Sequence, residues 1–324
     1  MNRHRIGALD VARGLAVLAM IAFHMSWDLA WFGYTNWNVN SGQGWQLFAA
    51  SIAGSFLFLS GVSFAISRKN KFRVHAFWRR FAVLVAAAAG VSLLTYLSFG
   101  QSFVRFGILH CLAASALLCL LVARFNTLVL LGLAAFIASA ALWAKTPLFD
   151  GQLLLWTGLG TPTYGSVDYV PLIPWTALPL FGMALTRIWL FRASADTSAS
   201  PELSTAKPVI LLKWMGRHSL LIYLLHQPLL YGLAWSGVAL GIAPDHKDEQ
   251  FIAGCINSCE IQGQTGAECQ TICGCTLDTL QATGAWDKLI RDPADTDNRN
   301  ALNEAYAQCA WDLQPTQPSA PSQP

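Results

Sequence analysis

Marked only as apolar or polar, the chain shows seven long apolar stretches followed by a change of character. The stretches cover residues 9–32, 47–67, 81–99, 107–122, 127–143, 170–190 and 219–242. A helix needs ~20 residues at ~1.5 Å each to cross a hydrocarbon core, so the pattern predicts an all-α, polytopic transmembrane helical bundle of about seven spans. Gly54, Ser55, Ser60, Gly61 and Ser63 give the second stretch small faces for close helix packing. Pro171, Pro174 and Pro179 predict a kinked or interrupted sixth element, which a membrane tolerates beside a cavity.

The polar stretches orient the bundle. Arg3, His4 and Arg5 precede the first span without a small-residue cleavage site after it, which reads as an uncleaved signal-anchor with a cytoplasmic N-terminus. Arg68, Lys69, Lys71, Arg73, Arg79 and Arg80 form the densest basic loop, cytoplasmic by the positive-inside rule. Residues 191–217, with their Ser/Ala/Asp/Pro stretch, read as a flexible cytoplasmic linker. Seven crossings then put everything after the last span on the far side, the periplasm if the membrane is a bacterial inner membrane.

Composition agrees with a membrane body: 54% of the residues are hydrophobic, only 12% are charged, and the mean hydropathy is +0.42. The formal net charge of +3 conceals two unlike parts. From Asp245 onward twelve acids face four bases, a net −8, while the rest carries 17 bases and six acids, a net +11. The basic surplus sits in membrane loops rather than on an aromatic-interleaved face, so no nucleic acid is expected as a partner. The boundaries expected are residues 1–243 for a transmembrane domain, 244–313 for an acidic cysteine-rich tail, and 314–324 for a Pro/Ser/Gln-rich disordered end.

Six of the eight cysteines lie in that tail. Cys255 and Cys259, like Cys269 and Cys273, are four apart and share a helix face. Two short antiparallel helices could therefore be stapled by Cys255–Cys273 and Cys259–Cys269, leaving Cys275 with Cys309; other pairings remain formally open. The arrangement resembles a twin Cys-x3-Cys helical hairpin. Zinc is the competing reading, but the wide spacing and an oxidising compartment favour disulfides, and no metal is expected.

The first span holds the candidate chemistry, because Asp10, Arg13, His24 and Asp28 interrupt it. Ionisable groups cost ~2.5–3.5 kcal/mol at the centre of a membrane helix on insertion scales and so usually serve a site. Arg13 and His24 are eleven apart, close to three turns, which places them on one face about 16 Å apart in depth. Asp28, four beyond His24, falls on the same stripe. His226 lies about two turns into the last span with Tyr223 three positions before it. Arg105, Asp168 and Arg217 read as interfacial anchors.

Taken together, Leu9-Asp-Val-Ala-Arg13-Gly, Phe23-His24, Phe58-Leu-Ser-Gly61, Gly107-Ile-Leu-His110, Asp168-Tyr-Val-Pro171-Leu-Ile-Pro174-Trp175 and Ile222-Tyr-Leu-Leu-His226-Gln-Pro228 resemble bacterial relatives of heparan-α-glucosaminide N-acetyltransferase. The Arg-x10-His spacing also resembles the transmembrane O-acyltransferases of bacterial surface polysaccharides. The resemblance implies an integral membrane acyltransferase, moving an acyl and most simply an acetyl group from cytoplasmic acyl-CoA (acetyl-CoA) to a sugar, glycan or glycolipid acceptor on the outer face. The lysosomal enzyme has Asn where His24 falls, and its important histidine lies in the first luminal loop, where this chain has none. The role of His24 as general base therefore follows the O-acyltransferases, with Asp28 as its orienter. His226, Tyr223, Asn36 or Asn38 would supply hydrogen-bond donors to the tetrahedral intermediate or hold the acceptor. Arg13, near the cytoplasmic surface, would hold the donor's phosphates. The partners expected are acyl-CoA, the acceptor and the lipid bilayer; a homo-oligomer is left open.

Two other functions compete. A transporter or flippase for a lipid or glycan also needs a polar path across the bilayer. A membrane haem or redox protein needs paired axial histidines at matching depth, whereas the predicted topology puts His226 near the inner third and His24 nearer the outer.

Overall fold

A computed structural model describes residues 7–39, 42–69, 72–161, 166–193, 206–242, 247–261, 263–292 and 295–313. The basic N-terminal residues Arg3, His4 and Arg5 and the Pro/Ser/Gln-rich end after residue 313 lie outside them. The described residues form thirteen α-helices and no strand. Their contacts divide the chain into two compact units, Met1–Trp31 with Asn36–Ser236, and Phe32–Thr35 with Gly237–Pro324.

In the larger unit, α1 (Gly7–Trp31), α2 (Gln43–Lys69) and α3 (Val74–Phe99) are long and apolar enough to cross a membrane, and α4 (Ile108–Leu121) and α5 (Thr127–Trp143) are shorter apolar helices. Leu128 and Leu142 are 80% and 88% exposed, a pattern suited to lipid and costly in water. The inward faces are dense instead: Leu57, Leu130, Leu180 and Met183 are fully buried. The expected interruption near the prolines takes the form of α6 (Leu172–Trp175), a four-residue turn separated from α7 (Ala177–Ala193).

Between apolar helices in lipid there is little hydrophobic drive, so close packing depends on small residues. Two crossings show this. A Cβ on Gly61 would overlap the carbonyl of Pro179, and one on Gly182 would overlap that of Phe58, so α2 and α7 meet backbone to backbone. Likewise a Cβ on Gly14 would strike the carbonyl of Leu212 and one on Gly216 that of Asp10. The second crossing corrects the sequence reading of residues 191–217 as a linker. Its last eleven residues form a helix, α8 (Lys207–Arg217), opened by a proline in its first turn and packed along α1. The Ser/Asp/Pro composition upstream masked eleven residues with a clear amphipathic repeat. Arg217, read as an interfacial anchor, donates Nε–H to Asp10 Oδ2 at 3.0 Å.

Asp168 and His110 also have local work. Asp168 Oδ2 accepts the Ile108 N–H at 3.0 Å, taking one of the free donors at the start of α4. His110 Nδ1 accepts the Gly107 N–H at 3.2 Å, which leaves its Nε2–H for Ser92 Oγ at 3.3 Å; that hydroxyl donates to the Val104 carbonyl at 2.6 Å. The polar cluster at the head of α4 is a cap.

The smaller unit contains α10 (Lys247–Ile261), α11 (Gly266–Ala282), α12 (Trp286–Arg291) and α13 (Thr296–Asp312). Disulfides join Cys255 to Cys273, Cys259 to Cys269 and Cys275 to Cys309, the two pairs that the helix-face spacing suggests and the pair that it leaves over. Thr265 caps α11: its Oγ1 donates to Glu268 Oε2 at 2.8 Å and its backbone N–H donates to the same oxygen at 3.1 Å. A small apolar core of Leu277, Leu280, Trp286, Leu289 and Ala305 completes the unit.

Candidate active site

The last helix of the larger unit, α9 (Ser219–Ala239), brings the chemistry together. Its residues Ile222 and Tyr223 pack with Val17, Met20 and Ile52 of α1 and α2, while Tyr223 also joins Leu57, Ile108, Cys111 and Val170. This seating turns His226 towards α1. The rings of His24 and His226 meet edge to face, their centroids 4.8 Å apart. The depth assigned to the two histidines from the predicted topology is therefore corrected. They share one level, since their rings touch. The rings are in direct contact, with no space for a porphyrin between them.

His226 is 7% exposed. Its Nδ1 lies 2.7 Å from the carbonyl oxygen of Tyr223, and its Nε2 is buried without a hydrogen-bond partner among the described residues. Tyr223, read as a substrate contact, thus serves His226 through its main chain and the apolar clusters through its ring.

Asp28 is 1% exposed. The spacing reads it as the orienter of His24, but its Oδ1 accepts the side-chain amide of Gln227 on α9 at 2.9 Å. Its Oδ2 and the Gln227 Oε1 have no partner among the described residues. The reason is geometric: the C-terminal end of α1 meets α9 at Gln227, and a buried carboxyl takes the nearest N–H. Gln227 was missed from sequence. The signal was present, since an amide beside His226 in an apolar helix must find a polar neighbour once buried.

Arg13 donates to Ser63 Oγ, tying α1 to α2 at the opposite end of the helix from Asp28. Between the levels of Arg13 and His24 an apolar groove of about 360 Å³ opens along α1 and α2, lined by Ala12, Leu15, Ala16, Ala19, Ile52 and Phe58. Ser51 and Ser55 on its wall give their hydroxyls to their own helix backbone, so they add little polarity. Asn36 and Asn38 are exposed on the loop after α1. No cluster of His, Cys, Asp or Glu suited to a metal occurs among the described residues.

An all-helical body of long apolar helices, with a buried imidazole, a half-buried one and a buried carboxyl on the first and last of its helices, defines a helical membrane protein with a polar centre. The family model described as heparan-alpha-glucosaminide N-acetyltransferase, catalytic, matches residues 5–228, and the chain belongs to that family of membrane acetyltransferases. The match ends just beyond Gln227 and so takes in His24, Asp28 and His226 while leaving out the cysteine-bridged unit. No curated protein and no solved structure matches the chain.

Proposed function

We propose that this protein transfers an acetyl group from cytoplasmic acyl-CoA to a sugar or glycan acceptor on the outer face of a bacterial inner membrane. The observation that carries this reading is the contact of the His24 and His226 rings, with Arg13 three turns earlier on the same helix. Donor and acceptor can then approach from opposite surfaces. Arg13 holds the donor's phosphates, and the distance from Arg13 to His24, about 16 Å along the helix, suits an extended pantetheine arm.

His24 acts as the general base. It removes the proton from the acceptor hydroxyl or amine as that atom bonds to the thioester carbonyl. The tetrahedral intermediate collapses by breaking its carbon–sulfur bond, and the proton on His24 leaves with the CoA thiol. His226, with its proton fixed on Nδ1, presents a lone pair beside His24 and keeps that ring in place. Asn36 and Asn38, on the loop beyond α1, are placed to meet the acceptor. The full architecture in this reading has seven crossings, a cytoplasmic N-terminus, a membrane domain of residues 1–243 and a periplasmic tail of residues 244–313.

The test is acceptor-dependent CoA release from acetyl-CoA by protein in liposomes, with an amino sugar as acceptor. His24→Ala is expected to lower the rate by ~10²–10⁴-fold while the protein stays inserted. Arg13→Ala is expected to raise the KM for acetyl-CoA instead, since its contact is made in ground and transition states alike. Full transfer by a well-inserted His24→Ala protein would overturn the assignment.

A further inference from the structure

Asp28 poses an accounting problem. It is buried, it has no ion-pair partner among the described residues, and one of its two oxygens makes no hydrogen bond. An ionised carboxylate in that condition costs several kcal/mol in an apolar interior, more at membrane depth than in a soluble core. The same place holds a second orphan. Gln227 must turn its Nε2–H towards Asp28 Oδ1, because a carboxyl oxygen cannot donate to that nitrogen, and so its own Oε1 is left unpartnered. Two acceptor atoms without donors therefore flank one hydrogen bond, each a single carbon away from it.

One proton on Asp28 resolves both. We propose that Asp28 is held as a neutral carboxylic acid that donates Oδ2–H to Gln227 Oε1 while accepting Gln227 Nε2–H at Oδ1. The result is a cyclic acid–amide clamp between α1 and α9. No charge is buried, each of the four polar atoms has a partner, and the two bonds fix the rotation of α9 against α1. That rotation sets where the His226 ring meets His24, one turn before Asp28 on the same helix. Asp28 and Gln227 are thus positioning residues that touch neither donor nor acceptor. Only the catalytic consequence of the clamp rests on the acyltransferase reading.

The clamp has a spectroscopic signature. Infrared difference spectra of the reconstituted protein at neutral pH, parent against Asp28→Asn, are expected to show loss of a protonated-carboxyl C=O stretch. Loss of an ionised carboxylate band in its place overturns the proposal, whatever the activity. A second arm compares two substitutions. Asn at 28 forms the same ring of two bonds as an amide pair, whereas Leu leaves the Gln227 amide buried and unpaired, a penalty of ~1–3 kcal/mol. Asp28→Asn should therefore exceed Asp28→Leu by about tenfold or more in kcat for CoA release, with the acetyl-CoA KM unmoved in both. Equal loss in the two variants overturns the clamp. A parent protein that releases no CoA with any acceptor would remove the acyltransferase reading, and the infrared band would still decide the clamp.

Discussion

The Nδ1 of His226 lies 2.7 Å from the carbonyl oxygen of Tyr223, and a carbonyl can only accept. The proton must be on Nδ1, which makes Nε2 the lone-pair nitrogen, inside the helix bundle and close to His24. Tautomer control of this kind decides which nitrogen is available for chemistry. Nitrogen NMR of protein labelled at histidine should show His226 protonated at Nδ1 and bare at Nε2. Protonation at Nε2 alone would break the argument that this ring presents a lone pair to its neighbour.

The ion pair between Asp10 and Arg217 joins the first span to α8, with Asp10 5% exposed and the Arg217 side chain 45% exposed. Arg217→Ala leaves a buried carboxylate without its cation. Because the arginine reaches solvent, the expected loss of about 1–3 kcal/mol lies below that of a fully buried pair. Thermal unfolding in detergent checks this, and Asp10→Asn with Arg217→Ala should cost less than Arg217→Ala alone.

Orientation can be read with reporters. A fusion after Arg73 should report cytoplasm and one after Leu313 the opposite side. A cytoplasmic signal from both would remove the seven-crossing topology along with the oxidising environment expected for the tail.

Much of the helical layout was readable because its signals are local. Thr127–Trp143 begins at Asn126, whose side chain accepts the Val129 N–H at 2.8 Å, and runs through unbroken apolar sequence. The three prolines near residue 174 foretold a break between α6 and α7. What escaped was non-local. α8 hid behind a linker-like run, and its purpose appears only when Gly14 and Gly216 are seen to share a crossing. The i,i+4 spacing correctly placed Asp28 on the stripe of His24, yet spacing within a helix carries no information about which other helix arrives there. Gln227 decided that outcome.

The Cys275–Cys309 bridge closes a separation of 34 residues and ties α13 to α11. On the chain-entropy model a loop of that length contributes about 4 kcal/mol. Cys275→Ser with Cys309→Ser should make α13 the first element of the tail to exchange its amide hydrogens, while the Cys255–Cys273 and Cys259–Cys269 hairpin stays protected. Hydrogen exchange read by mass spectrometry distinguishes the two.

Glu268 supplies a pH dependence in the cysteine-bridged unit. Hydrogen bonds from the Thr265 N–H and hydroxyl hold its carboxyl below the usual carboxylate range. A carboxyl lowered on folding stabilises the folded tail above its unfolded pKa, and that contribution is lost as the pH falls through its folded one. Fraying of the first turn of α11 on acidification, followed by NMR, should therefore be smaller in Glu268→Gln, which keeps a capping oxygen but does not titrate.

Asp28 and Gln227 are 199 positions apart in the sequence. At ~5–20 residues per second, a ribosome takes roughly 10–40 s to travel from one to the other. For all that time α1 is in or beside the bilayer with its carboxyl, its imidazole and the bare face of Gly14 awaiting helices that do not yet exist. A neutral acid at residue 28 eases that wait, since it takes one charge off a helix that also carries Asp10 and Arg13. Nascent chains arrested before α9 should accordingly hold α1 inserted but leave His24 open to aqueous reagents, and the histidine pair closes only when the final stretch of the larger unit leaves the ribosome.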